Sequence, residues 1–145
     1  MRNSCFKPAP RDNIIVQVEI LSRGAGLKQE FRMMVNLPPS HVGCITESLM
    51  SGLYVGGTCV IQRIFDAPLT LEAVQKYHVN TLGMIPTQYR MIWAIPDYDQ
   101  YDLSSLKSVV YGGASGDSEF LQRLSKMAPL FGTGLGMTES GGFGT

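Results

Sequence analysis

The sequence predicts an α/β protein built on a layered parallel sheet. Short apolar segments typical of buried strands alternate with helical segments, which is the pattern of parallel βαβ units. Two glycine-rich loops, at residues 112–116 and 132–136, each follow a predicted strand. The chain has 145 residues and is 44% apolar, which is enough to bury the core of one domain.

The periodicity of the apolar residues predicts six strands and four helices. The segments with strand character are 13–21, 31–37, 58–61, 80–85, 106–111 and 130–134. The helices are expected to begin near Ser40, Pro68, Thr87 and Asp117, at residues that commonly cap or open a helix. Because ligands bind at the carboxyl ends of parallel strands, both glycine-rich loops are expected at one edge of the sheet.

The composition argues against a nucleic-acid partner and against a membrane span. Twelve basic residues balance twelve acidic ones, the pI is about 6.7, and no stretch is long and apolar enough to cross a bilayer. Residues 1–7 lack the apolar core of a secretory signal. The three cysteines form no metal-binding pattern, and their odd number fits a reducing compartment. These observations predict a cytoplasmic protein.

Residues 132–139, Gly-Thr-Gly-Leu-Gly-Met-Thr-Glu, carry the most functional information in the chain. Alternating glycines let a ligand approach the backbone closely, and the Thr-Glu pair supplies a hydroxyl and a carboxylate for phosphate and Mg²⁺. The segment is not a P-loop, because no Gly-Lys-Ser/Thr follows. It is not a dinucleotide fingerprint either, because its third glycine comes one position early. The alternative is a flexible turn without a ligand.

Two further segments are candidates for the same site. Residues 112–115, Gly-Gly-Ala-Ser, resemble a strand-to-helix turn with room for a planar group, and the alternative is an ordinary tight loop. His41 follows Pro38-Pro39-Ser40 at the end of a predicted strand and can point into a ligand cleft. Its alternative is a structural histidine near a helix cap. Two glycine-rich loops one βα unit apart favour a nucleotide pocket.

Taken together, four segments resemble the adenylate-forming, AMP-binding superfamily. They are residues 37–41 (Leu-Pro-Pro-Ser-His), 101–107 (Tyr-Asp-Leu-Ser-Ser-Leu-Lys), 112–114 (Gly-Gly-Ala) and 136–139 (Gly-Met-Thr-Glu). The order and spacing of these segments are most similar to acyl-CoA synthetases and fatty-acid–CoA ligases. The resemblance covers residues 37–145, as the central part of the large N-terminal α/β domain, and leaves residues 1–36 unassigned.

The resemblance implies a role for each candidate residue. His41, Gly113 and Ala114 would contact the carboxylic acid substrate and the adenine side of the pocket. Thr138 and Glu139 would be catalytic, with Thr138 at the α-phosphate and Glu139 as the Mg²⁺ ligand. The implied cofactor-binding segment is Thr133, Gly134, Leu135, Gly136, Met137 and Thr138. The implied cofactors are ATP or AMP, Mg²⁺ and CoA.

The implied activity is an AMP-forming acid–thiol ligase that makes an acyl-adenylate and transfers the acyl group to CoA. The family's phosphate loop is expected upstream of Pro38, where residues 1–36 show no match, and its catalytic lysine and lid are expected beyond Thr145. Leu135 also stands where the family usually has an aromatic residue. We therefore expect the isolated chain to be inactive. The alternative is a non-catalytic module that binds a nucleotide or a partner weakly.

Overall fold

The computed structural model describes residues 11–143, and of Arg11, Glu139 and Phe143 it describes the backbone alone. Five parallel strands form one sheet in the order β2-β1-β3-β4-β5, which confirms the predicted α/β class. The strands are β1 (Arg32–Val35), β2 (Thr58–Ile61), β3 (Thr81–Met84), β4 (Ser108–Gly112) and β5 (Leu130–Gly134). A short antiparallel hairpin of β6 (Gly136–Met137) and β7 (Gly142–Phe143) follows.

Helices cover both faces of the sheet. The α-helices are α1 (Arg11–Gly24), α2 (Ser51–Tyr54), α3 (Ala67–Tyr77), α4 (Pro86–Trp93) and α5 (Ser118–Leu124). A π-helix, Gly43–Met50, leads directly into α2, and 3₁₀ turns form at Tyr98–Gln100 and Thr138–Ser140. Helices α3, α4 and α5 pack on one face, while α1, the π-helix and α2 pack together and reach the sheet at β1 and β2. Among the described residues, no helix is long and apolar enough to cross a membrane.

An aromatic cluster joins α4 and α5 to the middle of the sheet. Tyr89, Trp93, Tyr111 and Phe120 lie with ring centroids 5.1 to 5.9 Å apart. The fully buried Tyr89 hydroxyl lies 2.8 Å from the Leu82 carbonyl oxygen and 2.9 Å from that of Val110. Burial raises the pKa of Tyr89, so the hydroxyl keeps its proton and remains a donor. The cluster packs both helices against β3 and β4.

The segment at 13–21 is a helix, so its predicted assignment as a strand is wrong. It lies within α1, where Val18 and Ser22 are buried four residues apart, while Val16 and Ile20 are more than half exposed. The strand character of this segment comes from its many β-branched residues. Packing against the π-helix and α2 overrides that local strand preference.

The segment that follows Ser40 is helical as predicted, but its geometry differs from the prediction. It begins at Gly43 without a side-chain cap, and the hydroxyls of Ser48 and Ser51 donate to carbonyls five residues earlier, as a π-helix allows. The buried side carries small or polar residues rather than an apolar stripe: Gly43, Cys44, Thr46, Ser48, Ser51 and Gly52. At Gly52 a Cβ would lie 2.3 Å from the Cys59 sulfur, so close contact with β2 requires glycine.

Of the remaining predicted helix starts, two are confirmed and one is shifted. The Asp117 carboxylate accepts from the Phe120 amide at 2.8 Å and caps α5. Helix α3 begins at Ala67 with Pro68 in its first turn, and the Asp66 carboxylate caps it. Thr87 does not cap α4, because Ile85 holds the N-cap position and Pro86 is the first helical residue.

Candidate functional site

Four neighbouring strands bring the candidate segments to one edge of the sheet. Strands β1, β3, β4 and β5 lie side by side and run in the same direction. The loop after β1 leads to His41, and the first glycine-rich segment begins at the last residue of β4. The second was predicted as a loop at 132–136, but residues 132–134 belong to β5 and only Leu135 separates β5 from β6. Because the carboxyl ends of parallel strands meet at one edge, these loops form a continuous rim, as the sequence predicted.

The two glycine-rich segments meet at the ends of β4 and β5. Gly112 is paired with Gly134 in the last register position of β4 and β5, and a Cβ on Gly112 would lie 3.4 Å from the Gly134 carbonyl oxygen. Gly113 has a φ of +79°, a conformation that favours glycine, and a Cβ there would lie 3.2 Å from Ile85 Cγ2. Gly113 and Ala114 are exposed. The backbone at this point is therefore open to a flat ligand.

The Gln88 side chain connects the loops that follow β1 and β3. Its side-chain oxygen accepts from the Ile85 amide at 3.3 Å, and its side-chain nitrogen lies 3.5 Å from the Asn36 carbonyl oxygen. Asn36 directly follows β1 and is buried, whereas Ile85 follows β3 and contacts Gly113. The loop that leads to His41 is thus held in place relative to the first glycine-rich loop.

His41 has one ring nitrogen fixed by its own backbone. The Nδ1 atom accepts a hydrogen bond from the Gly43 amide at 3.1 Å, so Nδ1 carries no proton in this arrangement. In the neutral ring the proton then lies on Nε2, which makes that atom a donor. The His41 side chain is exposed. His41 can therefore offer an N–H to an acceptor such as a substrate carboxylate.

The Thr-Glu segment lies in the turn of the terminal hairpin. Thr138 opens the 3₁₀ turn between β6 and β7, and Gln17 on α1 donates to the Ser140 carbonyl oxygen at 3.2 Å. Thr138 is exposed, and so are the other non-glycine side chains predicted to bind the cofactor, Thr133, Leu135 and Met137. The predicted metal ligand, Glu139, has its backbone in the turn, while its side chain lies outside the described atoms.

Glu47 links the hairpin to His41, and sequence reasoning missed it. A Cβ on Gly43 would lie 3.3 Å from His41 Nδ1 and 3.4 Å from Glu47 Oε2, so both side chains approach the same point. A Cβ on Gly142 would lie 3.4 Å from Glu47 Oε1. Burial raises the pKa of the Glu47 carboxyl. The sequence feature that could have pointed to Glu47 is that it is the one charged residue in the stretch 42–62.

The structure thus places the predicted residues in two linked groups. Gly113 and Ala114 lie beside Gly134 at the ends of β4 and β5, and His41 lies beside Glu47, against which the hairpin packs. Among the described side chains, no group of three or more histidine, cysteine or carboxylate residues is placed to hold a metal ion. A groove of about 230 Å³ lies between α4 and α5, lined in part by Arg90, Trp93 and Arg123.

Comparison with protein families identifies the class to which this arrangement belongs. The family model described as AMP-binding enzyme matches residues 11–145, and the chain is a member of that family. The match includes α1, which lies in the N-terminal segment 1–36 that the sequence analysis left unassigned.

Characterised relatives include CoA ligases. The chain is 33% identical over 107 residues to 4-coumarate–CoA ligase CCL1 of Humulus lupulus, covering 72% of this chain and 20% of that protein. It is 30% identical over 128 residues to feruloyl-CoA synthase of an Amycolatopsis species, covering 88% of this chain and 25% of that protein. The chain therefore spans about a fifth to a quarter of the length of these curated relatives.

Solved structures share the fold. The N-terminal domain of FACL13 from Mycobacterium tuberculosis aligns with a TM-score of 0.77 at 22% identity, over 89% of this chain and 34% of that chain. The o-succinylbenzoate coenzyme A synthetase MenE from Bacillus subtilis, in complex with ATP and magnesium ion, aligns with a TM-score of 0.78 at 16% identity, over 92% of this chain and 27% of that chain. The sheet and its helices match the N-terminal domain of adenylate-forming enzymes.

The backbone at Gly113 gives a direct test of the rim geometry. We expect Gly113→Ala to lower the free energy of unfolding by about 1–2 kcal/mol, because an L-residue is strained at positive φ and its Cβ would press on Ile85. Gly132→Ala is the matched control in β5, because no atom lies within 4 Å of its Cβ position. Urea unfolding of both variants measures the difference, and equal stabilities would contradict the geometry.

The raised pKa of Glu47 predicts a pH-dependent stability. The folded state holds this proton to higher pH than the unfolded chain does, so the free energy of unfolding falls as pH rises through the folded pKa. We expect the free energy of unfolding of Glu47→Gln to lack this decrease. At pH values above the ordinary pKa of glutamate, the variant should therefore become more stable relative to the wild type as the pH rises. Thermal or urea unfolding across pH, with the exposed Glu72→Gln as control, measures this. A stability difference between Glu47→Gln and the wild type that does not change with pH would contradict this prediction.

Proposed function

We propose that this chain forms the acid- and adenylate-binding part of an AMP-forming acid–thiol ligase. In that reaction a carboxylate oxygen attacks the α-phosphorus of ATP and pyrophosphate leaves. A thiol such as that of CoA then attacks the acyl carbon, and AMP leaves. The observation that carries the proposal is the pairing of Gly112 with Gly134, where the two glycine-rich segments meet at the ends of β4 and β5, on a chain of the AMP-binding family.

The geometry supports a specific role for each group. The exposed backbone of Gly113 and Ala114, next to Gly134 at the end of β5, suits a flat purine, because small residues let a ring approach the chain closely. The Nε2 proton of His41 suits a carboxylate oxygen of the acid. Thr138 and Glu139 would contact the α-phosphate and Mg²⁺, with Thr133, Leu135, Gly136 and Met137 along the same segment.

Magnesium, when bound, neutralises charge that develops on the departing pyrophosphate. Of this chain's residues, Glu139 is the carboxylate that would hold the ion. Thr138 would orient the phosphate through its hydroxyl, and the exposed turn that carries it leaves room for the triphosphate. The exposed Leu135 and Met137 would cover part of the nucleotide rather than stack as an aromatic ring does.

The acid itself is proposed only as a class. A fatty or other acyl acid follows from the resemblance to acyl-CoA synthetases. Two relatives are named for 4-coumarate and feruloyl-CoA, so aromatic acids belong in any screen. The proposed partners are this acid and CoA, without nucleic acid, and the proposed location is the cytoplasm. Residues 37–145 would form the adenylate-binding core.

The alternative is a module that binds a nucleotide or a partner without turnover. It is favoured by Leu135, an exposed aliphatic residue at the position where the family usually has an aromatic ring to stack on the adenine. An ATP–pyrophosphate exchange assay over fatty, aromatic and short acids separates activity from binding. We expect no exchange by the 145-residue chain, and measurable exchange would show that these residues suffice for adenylation.

Calorimetry with an acyl sulfamate of adenosine, an analogue of the acyl-adenylate, tests the binding site. We expect the wild type to bind the analogue more tightly with Mg²⁺ than without it. Glu139→Gln should lower the affinity measured with Mg²⁺ roughly tenfold, as loss of one charge-assisted contact does. Glu72→Gln on the exposed face of α3 is the control. Absence of heat with the wild type, or the same loss in both variants, would refute the assigned site.

A further inference from the structure

Strand β5 is an uncovered edge of the parallel sheet. Among the described residues, β4 is the one strand that pairs with it. None of its five residues is buried. Leu130 and Phe131, whose side chains point to opposite faces as neighbours in a strand do, are 66% and 51% exposed. An edge strand of this kind offers both its backbone and its apolar side chains to another strand.

The pairing of β5 with β4 shows which backbone groups point outward. The Leu130 amide donates to the Lys107 carbonyl oxygen at 3.2 Å, so Leu130 directs its amide toward β4. Successive residues of a strand direct their backbone groups to alternate sides. Phe131 and Thr133 therefore direct their amides and carbonyls away from the sheet. Each of these two residues presents a donor and an acceptor at the outer edge.

This edge lacks the charges that commonly prevent pairing between copies of a protein. No charged residue lies between Lys126 and Glu139 in the sequence. A symmetric contact places each residue near the same residue of the other copy, where a charge would repel its own counterpart. In an antiparallel pair of β5 strands, the end that follows Lys126 lies beside the end of the other copy that precedes Glu139. The charges that flank the strand are thus of opposite sign where two copies meet.

We propose that β5 is a docking surface for β5 of a second copy of this chain, in an antiparallel pair around a twofold axis. With Gly132 on the axis, Phe131 of each copy lies opposite Thr133 of the other, which pairs the outward backbone groups of both strands. An aromatic residue opposite a β-branched one is a favourable cross-strand pair. On the other face Leu130 lies opposite Gly134, where no side chain obstructs it. The inference does not depend on the proposed function, because it uses the edge of β5 and no bound ligand.

The opposite edge of the sheet offers an alternative contact. Among the described residues, β2 pairs only with β1, and its last residue, Ile61, is 67% exposed. A β5 strand that joined β2 of another copy would continue the parallel sheet. That contact would leave a free edge on each copy and so build open chains, whereas the twofold pair of β5 strands closes at a dimer. The size of the assembly therefore distinguishes the two contacts.

Analytical ultracentrifugation of the 145-residue chain over a concentration series tests the contact. We expect a monomer–dimer equilibrium for the wild type. Phe131→Lys should raise the dissociation constant roughly tenfold or more, because it removes both aromatic cross-strand pairs and places like charges diagonally across the twofold axis. Ile61→Lys on β2 and Ile20→Lys on α1 are controls at similarly exposed apolar residues and should dimerise as the wild type does. Far-UV circular dichroism checks that each variant is folded.

Disulfide trapping tests the same contact without weakening the edge. On the twofold axis the two Gly132 residues form a non-hydrogen-bonded pair with Cα atoms about 4.5 Å apart, within the range that a disulfide bridges. No atom lies within 4 Å of a Cβ at Gly132, so Gly132→Cys fits the single chain. Under mild oxidation we expect Gly132→Cys to form a covalent dimer on non-reducing gels. The wild type, with its three native cysteines, and Ile61→Cys should stay monomeric there.

Three outcomes would overturn the inference. The first is a wild type that stays monomeric at every concentration. The second is open-ended assembly that Ile61→Lys abolishes, because this result would place the contact at β2. The third is a dimer that Phe131→Lys leaves intact and that Gly132→Cys does not trap. None of these outcomes bears on the adenylate site, which calorimetry with the acyl-adenylate analogue tests separately.

Discussion

The parallel register of β4 with β5 is the constraint on which the candidate site depends. Five consecutive pairs, ending with Gly112 and Gly134, bring two loops that are about twenty residues apart in sequence into van der Waals contact. The register is maintained from the opposite side by α4 and α5, whose aromatic residues are buried against the same strands. A shift of one residue would separate the glycines and turn the core side chains to the wrong face.

The π-helix has a second structural role, because it connects the loop that carries His41 to the terminal hairpin. Its first residues fix the His41 ring, and its middle turn carries Thr46 and Glu47, which lie next to Gly142 of the hairpin. An ordinary α-helix would place successive side chains at different angles, so the wider turn affects which groups meet. Small residues on its buried side let it approach β1 and β2 closely enough for this contact.

Much of this arrangement was predictable from the sequence, for identifiable reasons. The strand at 58–61, the Asp117 cap and the glycine-rich loops depend on local patterns, and the structure contains all three. Helix α1 and the π-helix were not predictable, because packing decides between strand and helix for a β-branched run and between α and π geometry for a small-residue run. Glu47 was not singled out from the sequence, because its proximity to Gly142, which is distant along the chain, arises only in the fold.

The central claim is that the strand-end glycines, the hairpin and His41 form one site for an acyl-adenylate. A crystal structure of the 145-residue chain with an acyl sulfamate of adenosine and Mg²⁺ tests it most directly. The account predicts the adenine against Gly113 and Gly134, Mg²⁺ beside Glu139 and the acyl group pointing toward His41. An analogue bound instead in the groove between α4 and α5, with the glycine-rich loops empty, would contradict it.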